Sequence, residues 1–442
     1  MFRLQPPRPV LEIAEKLESA GFEAWCVGGA IRDVLLGHPH LDWDLATSAK
    51  PAQVRELFGA KRTIPVGIDF GTVGVLDRHG KMHEVTTFRR DVDTDGRHAI
   101  VEFGVSLDDD LARRDFTINA IAFSPKTGEL RDPFGGQQDI ARKLVRAVGD
   151  ADARMREDRL RALRAIRFAA RFDFEIEPAT LRAIQASAPY LGRLSPERVK
   201  QELDKTLEQV RCPSTAFRVW KSSGAFRSLV PTLAELSDEA LAAADHVAIP
   251  GTLARPARRA IRFAAVFSSL PARQAEAALV RLRASKHETQ AVSGLVNGWH
   301  TLGPTIDAAL CDSTPVTDAQ VRRWVAEIGR LRVGGFMRLA NALWAVDRLA
   351  GRTAPTTSAT RALYRRMLWS AFNEAIDLGS LAIDGDDLRR IGISPGPDLG
   401  KILHLLLAEV LEDPAKNTTD WLLQEAHRFA GGASGASDET RG

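Results

Sequence analysis

Residues 24–47 read AWCVGGAIRDVLLGHPHLDWDLAT, and the order of features in this stretch decides the fold of the first third of the chain. Ala24 to Val27 is a short apolar run that reads as a strand. Gly28 and Gly29 follow, and Ala30 to Leu36 reads as a helix. The glycines remove Cβ bulk where strand gives way to helix, and bare backbone N–H groups at such a turn suit a phosphate. Arg32 falls in the first turn, where it adds a charged fork. Downstream, Asp42 and Asp44 flank Trp43. In an extended chain the two carboxylates share a face. Side by side they repel, so such a pair holds a cation or is fully solvated. Mg²⁺ takes one or two carboxylates together with phosphate oxygens and water.

Around this stretch the first third reads as mixed α and β. Val10 to Ala20 has helical apolar spacing, and Gly21 stops it. Gly71 to Leu76, His83 to Phe88 and Ile118 to Phe123 are rich in β-branched and aromatic residues and read as strands. Glu84, in the second of these, offers a third carboxylate from a neighbouring strand. Arg89 to His98 is charged, contains Gly96, and reads as a loop. From about residue 151 helical periodicity takes over, clearest at Leu160 to Phe172, Leu203 to Val210, Ala257 to Leu270, Ala275 to Leu282, Val321 to Leu331 and Leu399 to Leu411. Arg352 to Ala359 reads as a linker and Gly431 to Gly442 as a disordered end.

Composition sets bounds. The 442 residues suffice for two to four domains, and 44% hydrophobic with 26% charged residues is ordinary for a globular chain. No run approaches the roughly 20 apolar residues of a membrane span, and Met1 to Pro9 lacks the core of a signal peptide, so a cytoplasmic location is expected. The three cysteines, Cys26, Cys212 and Cys311, are far apart and suggest neither disulfide framework nor zinc site. The formal net charge is only +3, so any nucleic-acid binding must come from local patches.

Two further stretches carry chemistry. In Leu111 to Ala120 (LARRDFTINA), Arg114 could hold phosphate oxygens and Asp115 could accept from a ribose hydroxyl. Without context the same residues would make a surface salt-bridge cluster. In Glu157 to Phe168 (EDRLRALRAIRF), Asp158, Arg161, Arg164 and Arg167 recur every three residues, which makes them neighbours on a helix. Leu160, Leu163 and Ile166 mark its apolar face. Arg167 lies seven residues after Leu160, on nearly the same azimuth, so its charge is partly desolvated and needs an anionic partner.

VGGAIRD, DWD, FGTVGV, HEVTTFRRD, ARRDFTINAIA, DPFGG and EDRLRALRAIRF, in this order between Val27 and Phe168, resemble the class II tRNA nucleotidyltransferases, the bacterial CCA-adding enzymes. Their head is shared with bacterial poly(A) polymerases. Val280 to Arg283 and the segment Leu381 to Trp421 extend the resemblance more weakly. It implies an α+β fold: a polymerase-beta-like nucleotidyltransferase head with a small mixed sheet (1–150), then an elongated all-α neck (151–215), body (216–351) and tail (352–430), with a disordered end (431–442). It implies that Asp42 and Asp44 hold Mg²⁺, and the strand reading of His83 to Phe88 makes Glu84 the candidate third catalytic carboxylate. Gly28, Gly29, Arg32 and Arg114 would hold the triphosphate, with Asp115 near the ribose. Asp158 and Arg161 would face the base, with Arg164 and Arg167 beside the nucleotide.

The function so implied is addition of CCA to the tRNA 3′ end from CTP and ATP, without a template, by two-metal in-line transfer that releases pyrophosphate. The tRNA would be held at its 3′ end and acceptor/T arm, read by shape and phosphates. Arg258, Arg259, Arg262, Arg281, Arg283 and Lys286 offer basic positions for it. A-adding, CC-adding and poly(A)-polymerase activities are the near alternatives, and a non-catalytic tRNA-binding protein or a metal-dependent phosphohydrolase the distant ones. The ten histidines form no cluster of the kind a phosphohydrolase would want. Oligomeric state is not expressed in the sequence.

Overall fold

In a computed structural model, residues 4–38, 42–94, 99–247, 255–312 and 315–435 are described. Helix α1 (Arg8–Ser19) buries Val10, Ile13, Ala14 and Leu17. It ends where Gly21 takes φ 86°, a left-handed value that glycine adopts freely. There the Gly21 and Phe22 N–H groups donate to the carbonyls of Glu18 and Leu17, which satisfies two of the helix's terminal acceptors.

Strand β1 (Ala24–Val27), helix α2 (Gly29–Leu35), strand β2 (Asp44–Thr47) and helix α3 (Pro51–Phe58) come next, then β3 (Thr63–Gly67), β4 (Thr72–Leu76) and β5 (Met82–Thr87). β6 (Arg89–Thr94) and β7 (Ala99–Phe103) form a separate two-stranded antiparallel ladder. After α4 (Leu107–Ala112), β8 (Ala122–Phe123) and β9 (Leu130–Arg131) complete a seven-stranded sheet in the order β3-β4-β5-β2-β1-β8-β9. It is mixed: β2 and β5 run parallel, and the sheet's other neighbouring strands are antiparallel.

Alternation sends side chains to two cores. Leu45, Val73, Val75 and Val85 pack with α1 and α3 on one face, while Val27, Ala46 and Ala122 pack with Leu107 and Leu111 of α4 on the other. Trp43 and Leu45 sink into the first core, so Asp44 is turned to the opposite side. Leu45 pairs with Val85, and both join that first core, so the register puts Glu84 on the same sheet face as Asp44.

Helices dominate thereafter: α5 (Gly136–Ala141), then β10 (Leu144–Val145), α6 (Ala151–Glu157), α7 (Leu160–Phe172), β11 (Glu175–Ile176), α8 (Pro178–Ser187), α9 (Pro196–Gln209) and α10 (Pro213–Ser222). Contacts divide the chain into two units, Met1–Glu235 and Leu236–Gly442. In the second, helices Arg255–Phe267, Lys286–Cys311, Val333–Leu349 and Thr357–Asn373 bury apolar faces, and Ile383, Leu388, Ile402, Leu406 and Val410 form a further core with Leu422 and Ala426. No described helix is long and apolar enough to cross a membrane.

Four local readings need correction. Arg89 to Thr94 is a strand rather than a loop, because it finds a partner in β7; residues 95–98 lie outside the described residues. Ile118 to Phe123 is a 3₁₀ turn at Thr117–Asn119 with only a two-residue strand after it. The expected linker Arg352 to Ala359 is helical from Thr357, which Thr356 caps, so the stretch between the two helices is 350–356. The last helix, Thr419–Gly435, runs through 431–435, and 436–442 lie outside the described residues.

In the second unit Arg322 is buried, donates to the carbonyls of Leu411 (2.6 Å) and Glu412 (2.9 Å), and pairs with Glu374 (3.0 Å). Arg322→Ala leaves three acceptors unpaired, one of them a carboxylate. The expected cost is about 3–5 kcal/mol, read as a lower urea midpoint. An unchanged midpoint would show that Arg322 does not hold this unit together.

Candidate active site

A cleft of about 580 Å³ opens in the first unit between the end of β1, the segment around Arg113 to Asn119, and helices α7 and α9. From the sheet side it gathers Gly28, Gly29, Arg32, Asp44, Arg114 and Asp115. From the helical side it gathers Asp158, Arg161, Arg164 and Arg167. These are ten of the twelve residues singled out in the sequence. The other two, Asp42 and Glu84, do not line it. Asp42 is exposed, with Lys81 Nζ 3.9 Å from its carboxylate, and Glu84 is exposed on β5. Among the described residues no group of three or more His, Cys, Asp or Glu side chains comes together as a metal cage. The carboxylates that could hold a cation are Asp44, which lines the cleft at the start of β2, and Asp42 two residues before it. They fit Mg²⁺, which needs few protein ligands when phosphate and water complete its shell.

The turn between β1 and α2 places backbone against a guanidinium. Gly28 has φ 77°, and a Cβ there would come 3.1 Å from Arg114 Nη1. Both backbone conformation and space thus call for glycine. Asp110, buried beneath, accepts from Arg113 (2.9 Å) and Arg114 (3.1 Å). Burial pushes the Asp110 carboxyl up, but the two arginines outweigh it and hold the group below its usual range. Arg114 Nε is buried with no hydrogen-bond partner among the described residues, a donor that a phosphate oxygen would satisfy.

Arg32 is buried. It donates to Asp33 (2.8 and 2.6 Å) and to the side-chain oxygen of Asn119. Its guanidinium also lies 5.0 and 4.7 Å from the ring centres of Phe168 and Phe172. Asp115 accepts from Arg164 (2.8 and 2.6 Å), from the Asn119 side-chain amide (2.8 Å) and from the Phe116 N–H (2.9 Å). Burial raises the Asp115 carboxyl, but Arg164 and these bonds hold it below its ordinary value.

Helix α7 starts at Leu160, so Asp158 is not on it. Asp158 caps the end of α6 with extended backbone (φ −142°, ψ 106°). Its oxygens accept from the Leu160 N–H (3.0 Å) and from Arg198 of α9 (2.8 Å). Arg161 donates to Glu157 (2.6 Å), Arg154 O (3.2 Å) and Arg113 O (3.0 Å). Arg167 finds the anionic partner its azimuth demands: Glu202, 1% exposed, at 2.6 Å.

Asn119, Arg113, Arg171, Arg198 and Lys205 also line the cleft but were not singled out in the sequence. Arg198 and Lys205 sit on α9, where an amphipathic pattern gives no sign of facing a cleft. Among the described residues nine cationic side chains and three carboxylates line it, the balance expected of a polyanion site. Of the basic positions expected to meet RNA, Arg262 is buried and Arg259 pairs with Glu288 (3.1 Å), whereas Arg281, Arg283 and Lys286 are exposed.

Family models agree with this layout. One described as "Poly A polymerase head domain" matches residues 24–146, and one described as "Probable RNA and SrmB- binding site of polymerase A" matches residues 173–236. A CCA-adding enzyme of Limosilactobacillus fermentum is 34% identical over 427 residues, covering 96% of each chain. The crystal structure of the Bacillus stearothermophilus CCA-adding enzyme in complex with CTP matches with TM-score 0.77 and 31% identity, over 97% of this chain and 100% of that one. A Thermotoga maritima CCA-adding enzyme complexed with tRNA_CCA shares the fold at TM-score 0.66 and 22% identity, over 96% of each chain. Residues 24–146, with the seven-stranded sheet, are thus of the poly(A) polymerase head class. Within it, the chain belongs to the CCA-adding enzymes.

Asp115 gives a test in acid. Its folded value lies below its unfolded one, so the stability it contributes is present above about pH 4 and is lost as pH falls through the depressed folded value. The gap between wild-type and Asp115→Asn urea midpoints should be widest near pH 6 and shrink below about pH 4. A gap that stays constant down to pH 3 would mean that Arg164 does not hold this carboxylate.

Proposed function

We propose that this chain adds the 3′-terminal C, C and A to tRNA from CTP and ATP without a nucleic-acid template, releasing pyrophosphate. The observation that carries the reading is the cleft itself. One cleft brings together a wall of arginines with the unpaired Arg114 Nε, the carboxylate of Asp44, and the Asp158–Arg161 pair. A nucleoside triphosphate has a part to match each of them: phosphates, reacting centre and base.

In this reading Gly28, Gly29, Arg32 and Arg114 hold the triphosphate, and Asp115 lies by the ribose. Asp42 and Asp44 would hold Mg²⁺, with Glu84 beside them on the same sheet face. When bound, a Mg²⁺ pair lowers the pKa of the tRNA 3′-hydroxyl and offsets charge on the departing pyrophosphate. The 3′-oxygen attacks the α-phosphorus in line, and the bond to the pyrophosphate oxygen breaks. The protein's share is to align the two reactants, since positioning dominates such transfers.

Base choice follows from donors and acceptors. Cytosine and adenine each present an amine next to a ring acceptor. Asp158 can accept from that amine and Arg161 can donate to the acceptor. Uracil and guanine would set a carbonyl oxygen against the carboxylate, and each unpaired buried polar group costs about 1–3 kcal/mol. Arg198 and Glu157 support this assignment because they fix both side chains before a base arrives. Arg164 and Arg167 sit beside the nucleotide. In the domain division that goes with this reading, 1–150 carries the chemistry, 151–215 the base edge, and 216–351 and 352–430 the tRNA.

Extension of a tRNA lacking CCA, with each nucleotide supplied alone and then together, tests the reading. C, C and A should be added in turn, with no growth beyond A. Incorporation of UTP or GTP at similar rates would overturn it, and ATP-only addition to a CC end would mark an A-adding enzyme instead. Asp44→Asn should lower the rate by about a hundredfold or more with little change in thermal stability. Arg161→Ala should admit UTP and GTP. Unchanged selectivity would remove Arg161 from base reading.

A further inference from the structure

We infer that Asn119 is the positioning residue that sets the nucleotide-binding arginines in register. The inference rests on the reading of the cleft as a nucleotide site. Asn119 is 7% exposed and sits in the 3₁₀ turn Thr117–Asn119. Its side-chain oxygen accepts from Arg32, and its side-chain nitrogen donates to Asp115 (2.8 Å). Asp115 in turn holds Arg164. Beyond Arg32, Asp33 accepts from Arg171 (3.4 Å). The polar chain therefore runs Arg164, Asp115, Asn119, Arg32, Asp33, Arg171. It leaves α7 at one arginine, crosses the head, and returns to α7 seven residues later. Separately, the Asn119 backbone carbonyl accepts from Arg114 (3.4 Å).

The central link needs an amide. Arg32 carries only donors and ionised Asp115 only acceptors, so the residue between them must accept on one side and donate on the other. Aspartate would keep the shape and the bond to Arg32 but set two carboxylates face to face. Alanine would leave Arg32 and Asp115 each short of one buried partner. Alanine frees Arg32, and either change releases Asp115 and with it Arg164 to tilt, while the backbone contact to Arg114 stays. The charged groups around Asn119 are Arg32 and Asp33 on α2, Arg114 and Asp115 on its own segment, and Arg164 on α7.

The test compares wild type, Asn119→Ala and Asn119→Asp in tRNA extension, with CTP binding in the presence of Mg²⁺ measured separately by calorimetry. Both variants should raise KM for CTP and ATP, and Kd for CTP, by about tenfold or more, while KM for tRNA stays within about twofold. A general structural defect would move both substrates together and lower the melting temperature. Nucleotide KM and Kd at wild-type values in the isosteric Asn119→Asp variant overturn the inference, as does an equal rise for tRNA. If Asn119→Ala fails to fold, Asn119→Asp alone decides. Wild-type protein that binds CTP but does not extend tRNA would sink the functional reading, and the calorimetric comparison would still judge Asn119.

Discussion

Helix α7 presents Arg161, Arg164, Arg167 and Arg171 along one edge of a cleft, and cations so placed repel one another. The structure depends on how that repulsion is met. Each arginine has its own anion from a different element: Glu157 from α6, Asp115 from the head, Glu202 from α9, and Asp33 from α2. Phe168 lies among Arg32, Arg164 and Arg167, with its ring centre 5.0, 5.4 and 4.2 Å from the three guanidiniums. An aromatic face attracts a cation without neutralising it. The partners hold the arginines in place, yet the cleft lining keeps its cationic excess.

The same pairings join sheet to helices. Asp33 and Asp115 belong to the head and reach α7, whereas Glu202 ties α7 to α9. A site made this way is positioned before its ligand arrives, so little ordering remains to be done on binding. The arrangement also accounts for Gly28, whose bare backbone is packed against Arg114. Side-chain bulk there would push away a guanidinium that Asp110 and the Asn119 carbonyl already hold from behind.

Much of this was legible along the chain because its signals are local. The run Ala24 to Val27, the glycine pair and the following helix form within a dozen residues, and the structure places them as read. Arg167 announced a need for an anion by its azimuth alone, since a charge on an apolar helix face cannot go unpaired. Glu202, thirty-five residues later, could not be named in the same way, because only folding brings α9 alongside. Arg89 to Thr94 looked like a loop because its charges outweigh its β-branched residues. Pairing with β7 overrode that local preference. Ile118 to Phe123 erred the other way: its apolar residues are buried by the turn's position between sheet and helices, not by a long strand.

The sequence by itself determined the strand, glycine pair and helix at Ala24 to Leu36, the strands β4 and β5, the switch to helices after residue 150, and the residue types of the site, because period, turn chemistry and charge spacing are properties of neighbours along the chain. The tertiary structure alone decided which of those charges meet. It put Asp158 between two helices, bridged Asp115 to Arg32 through Asn119, buried Arg262 and left Arg281 open. Such pairings join residues tens of positions apart, and their register is set by packing of whole elements, which no local pattern encodes.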